Sequence, residues 1–376
     1  MPTALAPVTV RRVDAICVRL PLAKPLRMAN TLIPHSDNML VRIEADSGLV
    51  GWGESTYAAA FGGPRLPAMV HTIEHLVRGY LPGRDALELS AHTARLAELN
   101  GGKADSAIAA VDMALHDLAG QALGLPVHLL LGGLRRDRIP PLWLIGTDTV
   151  EGDLAEAEAR HAEGYRFFKL KLAVKTLEED IASTRALRAR FPEARLCADA
   201  NEGYTVDTAL AYAQAVADCG LVFLEQPIPR ADVEGLRRLC AASPIPIGLD
   251  EAVGSSGDLL RLAPAGASGA ALKTIKLGGL SGVLAAGHVC EALGLRINLS
   301  GKIAESSIGS AALLQLGGVL PGMDWGVSPA HLYLRDDVVA APPRPVDGAY
   351  TVPTRPGLGV EVDETRVERL RIQPAA

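Results

Sequence analysis

Three acidic residues stand at nearly even spacing in the middle of the chain, each at the end of a short apolar run. They are Asp199, Glu225 and Asp250, here called the acidic triplet, and the intervals between them are 26 and 25 residues. That interval is typical of one strand–helix unit in a parallel barrel, whose strands all end at the same edge. We therefore expect the three carboxylates to converge at the C-terminal rim of the barrel. Oxygen ligands that leave room for water suit a hard cation such as Mg²⁺.

Lysines bracket the acidic triplet on both sides. Lys169 and Lys171 alternate in the run Phe-Phe-Lys-Leu-Lys, so they share one face of a predicted strand. Lys273 ends an apolar run 23 residues after Asp250. In an eight-stranded barrel these two lysine strands face each other, so Lys171 and Lys273 would flank the cation. A bound cation can stabilise the enediolate that forms when a carboxylate loses its α-proton, and a lysine on each face can move that proton.

Simpler roles compete with some of these assignments. A single acid at a strand end is more often a helix cap, but the regular triplet with flanking lysines favours a metal site. Lys276 competes with Lys273 for the proton-transfer role; Lys273 ends an apolar strand and Lys276 falls in a predicted loop, so Lys273 is favoured. The presence of an acid at Glu305 is explained equally well by a structural role, because the dipole of the following helix stabilises a negative charge at its N-terminus.

Short motifs follow one another in order along nearly the whole chain. They are Gly51–Glu54, Ala109–Gly120, Lys169–Lys171, Asp199–Asn201, Leu224–Pro227, Asp250–Glu251, Lys273 with Gly278–Gly279, Ala304–Gly309 and Pro356–Gly359. Together they resemble the enolase superfamily, in the muconate lactonizing enzyme (muconate cycloisomerase) subgroup of the mandelate racemase/muconate lactonizing enzyme family. The nine histidines are scattered and none lies on the predicted seventh strand, where the mandelate racemase subgroup keeps its base. The motifs are specific for the subgroup but not for a substrate.

The resemblance implies a role for each matching residue. The acidic triplet would bind Mg²⁺, for which Mn²⁺ could substitute. Lys171 and Lys273 would be the acid/base residues. Lys169, Asn201 and Glu305 would be the substrate-binding residues, with Lys169 holding the substrate carboxylate.

The predicted eighth strand departs from the patterns that specify a substrate in related enzymes. Muconate cycloisomerases carry an acid after a Trp-Gly pair, whereas Trp325-Gly326 is followed here by Val327 and Ser328. Dipeptide epimerases use an Asp-x-Asp in this region, whereas Asp324 has a glycine two residues later. Neither substrate is supported by this segment.

The sequence predicts an α/β fold, a modified (β/α)7β TIM barrel with an N-terminal α+β capping domain. Residues 9–56 alternate as antiparallel strands do, and residues 67–125 have helical periodicity. We place the capping domain at residues 1–130, completed by the tail 346–376, and the barrel at 136–345.

The barrel segment alternates between predicted strands and helices. The predicted strands are 141–145, 166–171, 195–199, 221–225, 246–250, 271–275, 296–300 and 323–327, with a tail strand at 359–363. Predicted helices include 151–163 and 177–190. Two loops of the first domain, near 24–31 and 56–65, are expected to cap the barrel mouth and shape the substrate pocket.

Composition excludes several classes of protein. The net charge is −6 with no basic stripe, which argues against a nucleic-acid partner. Apolar stretches are broken by charge, which predicts no membrane span, and the N-terminus does not read as a signal peptide. The five cysteines are widely spaced and predict buried thiols in a reducing, cytoplasmic setting. We expect a small-molecule carboxylate as the partner, and the resemblance implies a homo-oligomer.

The chemistry supports one main hypothesis and leaves others open. The main one is Mg²⁺-dependent removal of an α-proton from a carboxylate, giving racemisation or epimerisation of an amino-acid derivative or a related carboxylate. Cycloisomerisation of the muconate type, or dehydration of a hydroxy acid, uses the same scaffold and the same lysines. A non-catalytic barrel is disfavoured because clustered charge is costly without a metal or partner. Another metal-dependent barrel enzyme, such as an aldolase, would not need two opposed lysines.

Overall fold

The computed structural model describes residues 6–28, 31–57, 64–147 and 149–373; for residues 26–33 it describes the backbone only, where that is included in these ranges. Its strands are β1 Val10–Met28, β2 Thr31–Ala45, β3 Val50–Thr56, β4 Arg138–Ile139, β5 Trp143–Ile145, β6 Phe167–Lys171, β7 Arg195–Asp199, β8 Leu224–Glu225, β9 Ile247–Leu249, β10 Gly269–Leu272, β11 Arg296–Ser300, β12 Val327–Ser328 and β13 Tyr350–Thr351. Its α-helices are α1 Leu66–His71, α2 Arg78–Tyr80, α3 Leu89–Leu99, α4 Ser106–Leu123, α5 Val127–Leu130, α6 Val150–Ala162, α7 Leu177–Arg190, α8 Val206–Ala215, α9 Val233–Ala242, α10 Ser256–Leu262, α11 Thr274–Leu277, α12 Leu280–Leu293, α13 Ser307–Val319 and α14 Glu364–Leu370. A π-helical turn, Thr72–Val77, joins α1 to α2.

The first part of the chain is an antiparallel sheet in the order β1-β2-β3, with α4 packed on it. Asp105 caps α4 by accepting hydrogen bonds from the backbone N–H groups of Ala107 and Ile108. The helix approaches β3 so closely that a Cβ atom at Gly53 would lie 1.9 Å from the carbonyl oxygen of Ala110. The two glycines of the Gly-Trp-Gly-Glu motif therefore allow the backbone of α4 to pack directly against β3.

The second part is a nearly closed barrel of parallel strands. Within the described residues, eight strands pair in the order β5 to β12. The two ends of this sheet meet through a parallel bridge between Pro141 and Val327 and a hydrogen bond of 2.7 Å from Leu142 N–H to the Val327 carbonyl. Since the strands are parallel, all of their C-terminal ends open onto one mouth.

An aromatic pair fills the interior of the barrel. The rings of Phe223 and Trp325 stack with their centroids 4.1 Å apart. A Cβ atom at Gly269 would lie 2.6 Å from the Trp325 ring, and one at Gly248 would lie 2.8 Å from it. The two glycines on β9 and β10 therefore make room for the indole, and the barrel is a packed core rather than a pore.

The structure corrects three strand predictions. The sixth barrel strand is β10, Gly269–Leu272, and the chain turns into α11 at Thr274 instead of continuing to 275. The eighth is Val327–Ser328, because Met323–Trp325 forms a 3-10 turn that delivers Trp325 to the interior. The predicted tail strand at 359–363 is absent from the described chain, where the strand of the tail is β13, paired with β4.

The tail contacts the first sheet's helix through a buried carboxylate. Asp117 on α4 accepts hydrogen bonds from the backbone N–H groups of Leu358 and Trp52, each at 2.8 Å. Burial raises the pKa of Asp117 to about 6, against the lowering effect of these hydrogen bonds. The domain boundaries at 130, 136 and 346 stay a prediction.

Other predictions concern single features. The five cysteines are free thiols; four are buried and Cys240 is half-buried. No helix among the described residues has the length and apolar character needed to cross a membrane. The loop predicted near 24–31 is wrong in part, because residues 24–28 belong to β1 and Thr31 begins β2. Ala29, Asn30 and residues 58–63 of the two predicted capping loops lie outside the described residues.

Candidate active site

The acidic triplet lies at the C-terminal ends of three adjacent strands, as predicted. Asp199 ends β7 and pairs in register with Glu225, which ends β8. Glu225 pairs with Gly248 of β9. Asp250 lies two residues after Gly248, directly after the last residue of that strand. The three side chains are almost fully buried. The sequence folds this way because each acid ends an apolar run that fills the barrel layer beneath it.

Lys169 and Lys171 share one face of β6 and turn toward two of these acids. The Nζ atom of Lys169 lies 2.6 Å from Oε2 of Glu225 and 3.2 Å from Oδ1 of Asn298. The Nζ atom of Lys171 lies 3.6 Å from Oδ2 of Asp199. Burial alone lowers the pKa of Lys169, but the charges of Glu225 and Asp199 outweigh burial and hold it above the usual range. Lys169 is therefore a fixed ammonium group, whereas Lys171 has the looser contact.

Asp250 accepts from two lysines at once. Lys273 reaches its Oδ2 atom at 2.6 Å, and Lys276 reaches its Oδ1 atom at 2.7 Å. Lys276 also donates to the backbone carbonyls of Asp250 and Ala271, at 2.7 and 3.0 Å. The predicted loop position of Lys276 is wrong, since it lies in α11, completely buried. The structure thus fixes Lys276 as an anchor for Asp250 and leaves Lys273 as the more accessible of the two.

Exposure separates the four lysines that contact the acidic triplet into two groups. The side chains of Lys171 and Lys273 are 21% and 14% exposed, whereas those of Lys169 and Lys276 are 6% and 1% exposed. Lys171 on β6 and Lys273 after β10 are separated by the three acid-bearing strands. The two more exposed lysines are therefore the two that the sequence predicts as acid/base residues, and they lie on either side of the triplet.

Backbone strain helps to position the acids. Gln226, directly after Glu225, has a φ of +33°, and its side-chain oxygen accepts from the backbone N–H groups of Asp250 and Ala252 at 2.9 and 3.1 Å. Asn201 has a φ of +42° and donates its backbone N–H to Asp199 at 3.0 Å. Non-glycine residues in this region are uncommon and concentrate at functional sites.

Asn201 is joined to Glu251 at the edge of the acidic triplet. The side-chain amide of Asn201 donates to Oε1 of Glu251 at 2.8 Å. The remaining oxygen of each side chain, Oδ1 of Asn201 and Oε2 of Glu251, is buried without a hydrogen-bond partner in the described structure. Buried polar atoms normally have partners, so this pair has acceptor capacity to spare for a ligand or ordered water.

Glu305 lies in the loop between β11 and α13, beside Glu54 of the first sheet. Burial raises the pKa of Glu305 to about 8, Glu54 raises it too, and Lys302 and Lys273 act in the opposite direction. Its Oε2 atom has no hydrogen-bond partner among the described residues. Glu305 is therefore a buried carboxyl group with an oxygen that has no partner among the described residues, and it directly precedes Ser306, the N-cap of α13.

Asp324 lies away from this site. Its side chain is exposed and faces Arg296, the first residue of β11, at 4.0 Å. The start of β11 is at the opposite end of the barrel from the acidic triplet. The eighth strand therefore brings no carboxylate to the mouth, as its sequence suggests.

The donor set suits Mg²⁺, although the carboxylates are turned toward lysines. Within the described residues, no group of three or more His, Cys, Asp or Glu side chains could hold a metal ion in the arrangement seen. The physical reason is that Glu225 and Asp250 each accept a short hydrogen bond from a lysine. Burial raises the pKa of Glu225 to about 7, and Asp199 and Asp250 add to the rise while Lys169 opposes it. These acids are close enough to repel one another, which a divalent cation would relieve.

The sequence did not single out Asn298, and it gave no sign that Lys276 binds Asp250. Asn298, inside β11, accepts from Lys169 and donates to the carbonyls of Trp325 and Gly326 at 2.9 and 3.2 Å. An asparagine in an apolar strand is the one signal that points to it, since a buried amide needs partners. Lys276 gives no such signal, because its contact with Asp250 depends on the turn into α11.

Comparison with known proteins agrees with this geometry. Residues 10–132 match the model of the mandelate racemase/muconate lactonizing enzyme N-terminal domain, and residues 153–366 match the enolase C-terminal domain-like model. The chain is 32% identical to muconate cycloisomerase 1-2 of Acinetobacter lwoffii, over 97% of this chain and 96% of the relative. It is 32% identical to muconate cycloisomerase 1 of Pseudomonas putida, over 96% and 98%.

A solved structure gives the same result. Muconate lactonizing enzyme from Pseudomonas fluorescens, complexed with muconolactone, superposes with a TM-score of 0.91 at 30% identity, over 98% of this chain and 100% of that one. The similarity covers both the sheet-and-helix part and the barrel. The chain belongs to the mandelate racemase/muconate lactonizing enzyme family, in the muconate lactonizing subgroup of the enolase superfamily, and it is an isomerase of that superfamily.

Proposed function

We propose that this chain is a Mg²⁺-dependent cycloisomerase of the muconate type, which closes an unsaturated dicarboxylate into a lactone. The observation that carries the proposal is the pair Lys171 and Lys273, accessible on either side of the acidic triplet. The full-length similarity to muconate cycloisomerases favours this reaction over racemisation or epimerisation, the main expectation from the sequence.

In this proposal Asp199, Glu225 and Asp250 hold Mg²⁺, or Mn²⁺ in its place. The bound ion would supply electrostatic stabilisation of the negative charge on a substrate carboxylate. Glu225 and Asp250 would exchange their contacts with the lysines for contacts with the ion. Lys169, anchored by Asn298, stays at the edge of the site as a fixed positive charge for the same carboxylate.

The two accessible lysines are the candidates for proton transfer to the substrate. In lactone formation a carboxylate oxygen bonds to a carbon of the diene, and the carbon next to the other carboxylate gains one proton. The dianion thus takes up one proton and becomes a lactone monoanion, with no redox change. Lys171 or Lys273 delivers this proton from its face and removes it in the reverse direction. The burial of Lys169 and Lys276 excludes both from this step.

Asn201 and Glu305 complete the substrate-binding set in this proposal. Each has a buried oxygen without a partner in the described structure. The substrate is a small-molecule carboxylate, and we place the enzyme in the cytoplasm as a homo-oligomer. These assignments rest on the resemblance and on the unsatisfied atoms.

The test is conversion of cis,cis-muconate in deuterated water with Mg²⁺, followed by NMR. We expect a lactone with one deuterium on the carbon next to the free carboxylate, delivered to one face. Lys171→Ala and Lys273→Ala are each compared with Lys103→Ala, an exposed lysine on the loop before α4. The variant that lacks the proton donor should lose about 10³-fold in kcat, and the control should not change.

The same experiment also tests the alternative reaction, racemisation or epimerisation of an amino-acid derivative. N-acyl amino acids and dipeptides are incubated in parallel. If muconate is unchanged while an amino-acid derivative exchanges its α-hydrogen for deuterium, the cycloisomerase proposal is wrong and racemisation or epimerisation replaces it. Loss of water from a hydroxy acid would point instead to a dehydratase.

A further inference from the structure

A third partly buried lysine stands at the barrel mouth, in the loop between β11 and α13. Lys302 comes two residues after Ser300, the last residue of the seventh barrel strand. Its backbone carbonyl accepts the N–H of Glu305 at 3.1 Å, which folds the loop back on itself. Gly301, next to it, donates to the carbonyl of Ser328 at 3.0 Å, so the loop is attached to the end of β12. The loop therefore has a defined place on the rim.

Lys302 has no salt bridge or hydrogen bond from its ammonium group to any described residue. Its electrostatic neighbours are Glu305 and Glu54, with Lys273 as a like charge, and burial lowers its pKa. Of the two acids, Glu54 already accepts from Ser306, Gly309 and Asn38. Lys302 is partly buried and its ammonium has no counter-ion contact among the described residues, so an anionic ligand at this position would be stabilising.

Two further polar atoms in the same region are unsatisfied. Glu305 is 2% exposed and its Oε2 has no partner, and the hydroxyl of Ser328 is also buried without one among the described residues. The Oε2 atom lies 2.8 Å from where a Cβ atom of Gly301 would stand and 3.3 Å from the equivalent point at Gly309. Both glycines therefore leave space for this carboxyl group. A cluster of an ammonium, a carboxylic acid and a hydroxyl can donate hydrogen bonds but repels a metal ion.

We propose that Lys302 and Glu305 form the subsite for the second carboxylate of a dicarboxylate substrate. The inference rests on the proposed function, because the first carboxylate is taken to lie between Lys169 and the acidic triplet. Lys273 lowers the pKa values of both Lys302 and Glu305 through its charge, so the new subsite is in the neighbourhood of this proton-carrying lysine. Lys302 supplies the charge for the second carboxylate, and Glu305 donates its proton in a hydrogen bond to it.

The experiment uses two unreactive six-carbon acids that differ at one end only. Adipate has two carboxylates and hexanoate has one, and isothermal titration calorimetry measures the dissociation constant of each with the Mg²⁺-loaded protein. We expect wild type to bind adipate about tenfold or more tightly than hexanoate. Lys302→Gln should bring this ratio close to one by weakening adipate alone. Lys302→Arg should retain most of the preference, and Lys103→Gln should retain all of it.

The ratio of the two affinities decides the outcome. It does not depend on the fraction of folded protein, so a poorly folding variant still gives an answer. A Lys302→Gln variant that keeps the wild-type ratio would overturn the subsite, and so would a wild type without preference for adipate. Turnover of muconate is measured separately. If the preference for adipate requires Lys302 but muconate is not converted, the subsite stands and the proposed reaction fails. If muconate is converted and the ratio of the two affinities is the same in Lys302→Gln as in wild type, the proposed reaction stands and the subsite fails.

Discussion

Glu54 holds the backbone of Ser306 across the junction between the first sheet and the barrel. Its carboxylate accepts the Ser306 N–H at 2.9 Å and the Ser306 hydroxyl at 2.6 Å. The same carboxylate accepts from Gly309 at 3.1 Å and from the Asn38 side chain at 2.7 Å. A residue of β3 thus fixes the first turn of α13, directly after the Lys302–Glu305 loop.

Glu54→Ala should destabilise the protein by about 3 kcal/mol, because the buried N–H groups of Ser306 and Gly309 lose their acceptor. Urea unfolding measures this change in the free energy of unfolding. The control is Ser55→Ala on the same strand, whose hydroxyl is buried without a partner among the described residues. Ser55→Ala should lie within about 0.5 kcal/mol of wild type. Equal losses in the two variants would contradict the role of Glu54.

Glu305 should make stability fall as pH rises. Its pKa is raised from 4.5 to about 8 by burial first and Glu54 second. Between these values the folded protein binds more protons than the unfolded chain, so the free energy of unfolding decreases as pH increases. Glu305→Gln should remove about 3 kcal/mol of the decrease between about pH 5 and pH 8.

The measurement is urea unfolding of metal-free protein at both pH values. Glu361→Gln, an exposed change in the tail, is the matched control and should follow wild type. The prediction fails if Glu305→Gln loses as much stability over this interval as wild type does.

Mg²⁺ should stabilise the folded protein through the acidic triplet. At a concentration one hundred times its dissociation constant, a ligand of the folded state adds about 2.7 kcal/mol. We expect a rise of several degrees in Tm on addition of Mg²⁺, reversed by EDTA. Asp199→Asn should abolish the rise, whereas Asp207→Asn, exposed on α8, should preserve it. An Mg²⁺-dependent rise that survives Asp199→Asn would place the ion elsewhere.

Gly53→Ala should disrupt the packing of α4 on β3. The new Cβ atom would lie 1.9 Å from the Ala110 carbonyl oxygen and 2.7 Å from the Ala114 nitrogen, so the helix must move. We expect a loss of about 3 kcal/mol or more. Gly79→Ala, in a helical turn with nothing within 4 Å of the added atom, should be neutral or stabilise by about 0.5 kcal/mol. Thermal unfolding compares the two, and a mild effect of Gly53→Ala would contradict the close approach.

The placement of the acids and lysines was predictable because it depends on local pattern. Each acid of the triplet ends an apolar run, and the interval between the runs matches one barrel unit. The strand predicted at 195–199 has the bounds of β7, and that at 296–300 has those of β11. Alternation also placed Lys169 and Lys171 on one face of β6 correctly, since a strand has a period of two.

What the sequence could not provide depends on packing between distant segments. The eighth strand is short because the chain turns at Met323–Trp325 to place an indole over Gly248 and Gly269. The contact of Lys276 with Asp250 requires the turn into α11, and the burial of Glu305 requires Glu54 from another sheet. No local signal encodes these contacts, because each partner is more than twenty residues away.

The ammonium groups beside the acidic triplet bear on whether folding of the protein depends on Mg²⁺. Lys169, Lys273 and Lys276 neutralise Glu225 and Asp250 from within the chain. The folded chain therefore has internal counter-ions for these carboxylates, and we expect it to reach its native state without Mg²⁺. Under the proposed function, we expect a chelator to stop the reaction while the protein stays folded, unlike a zinc finger, which unfolds when its metal is removed.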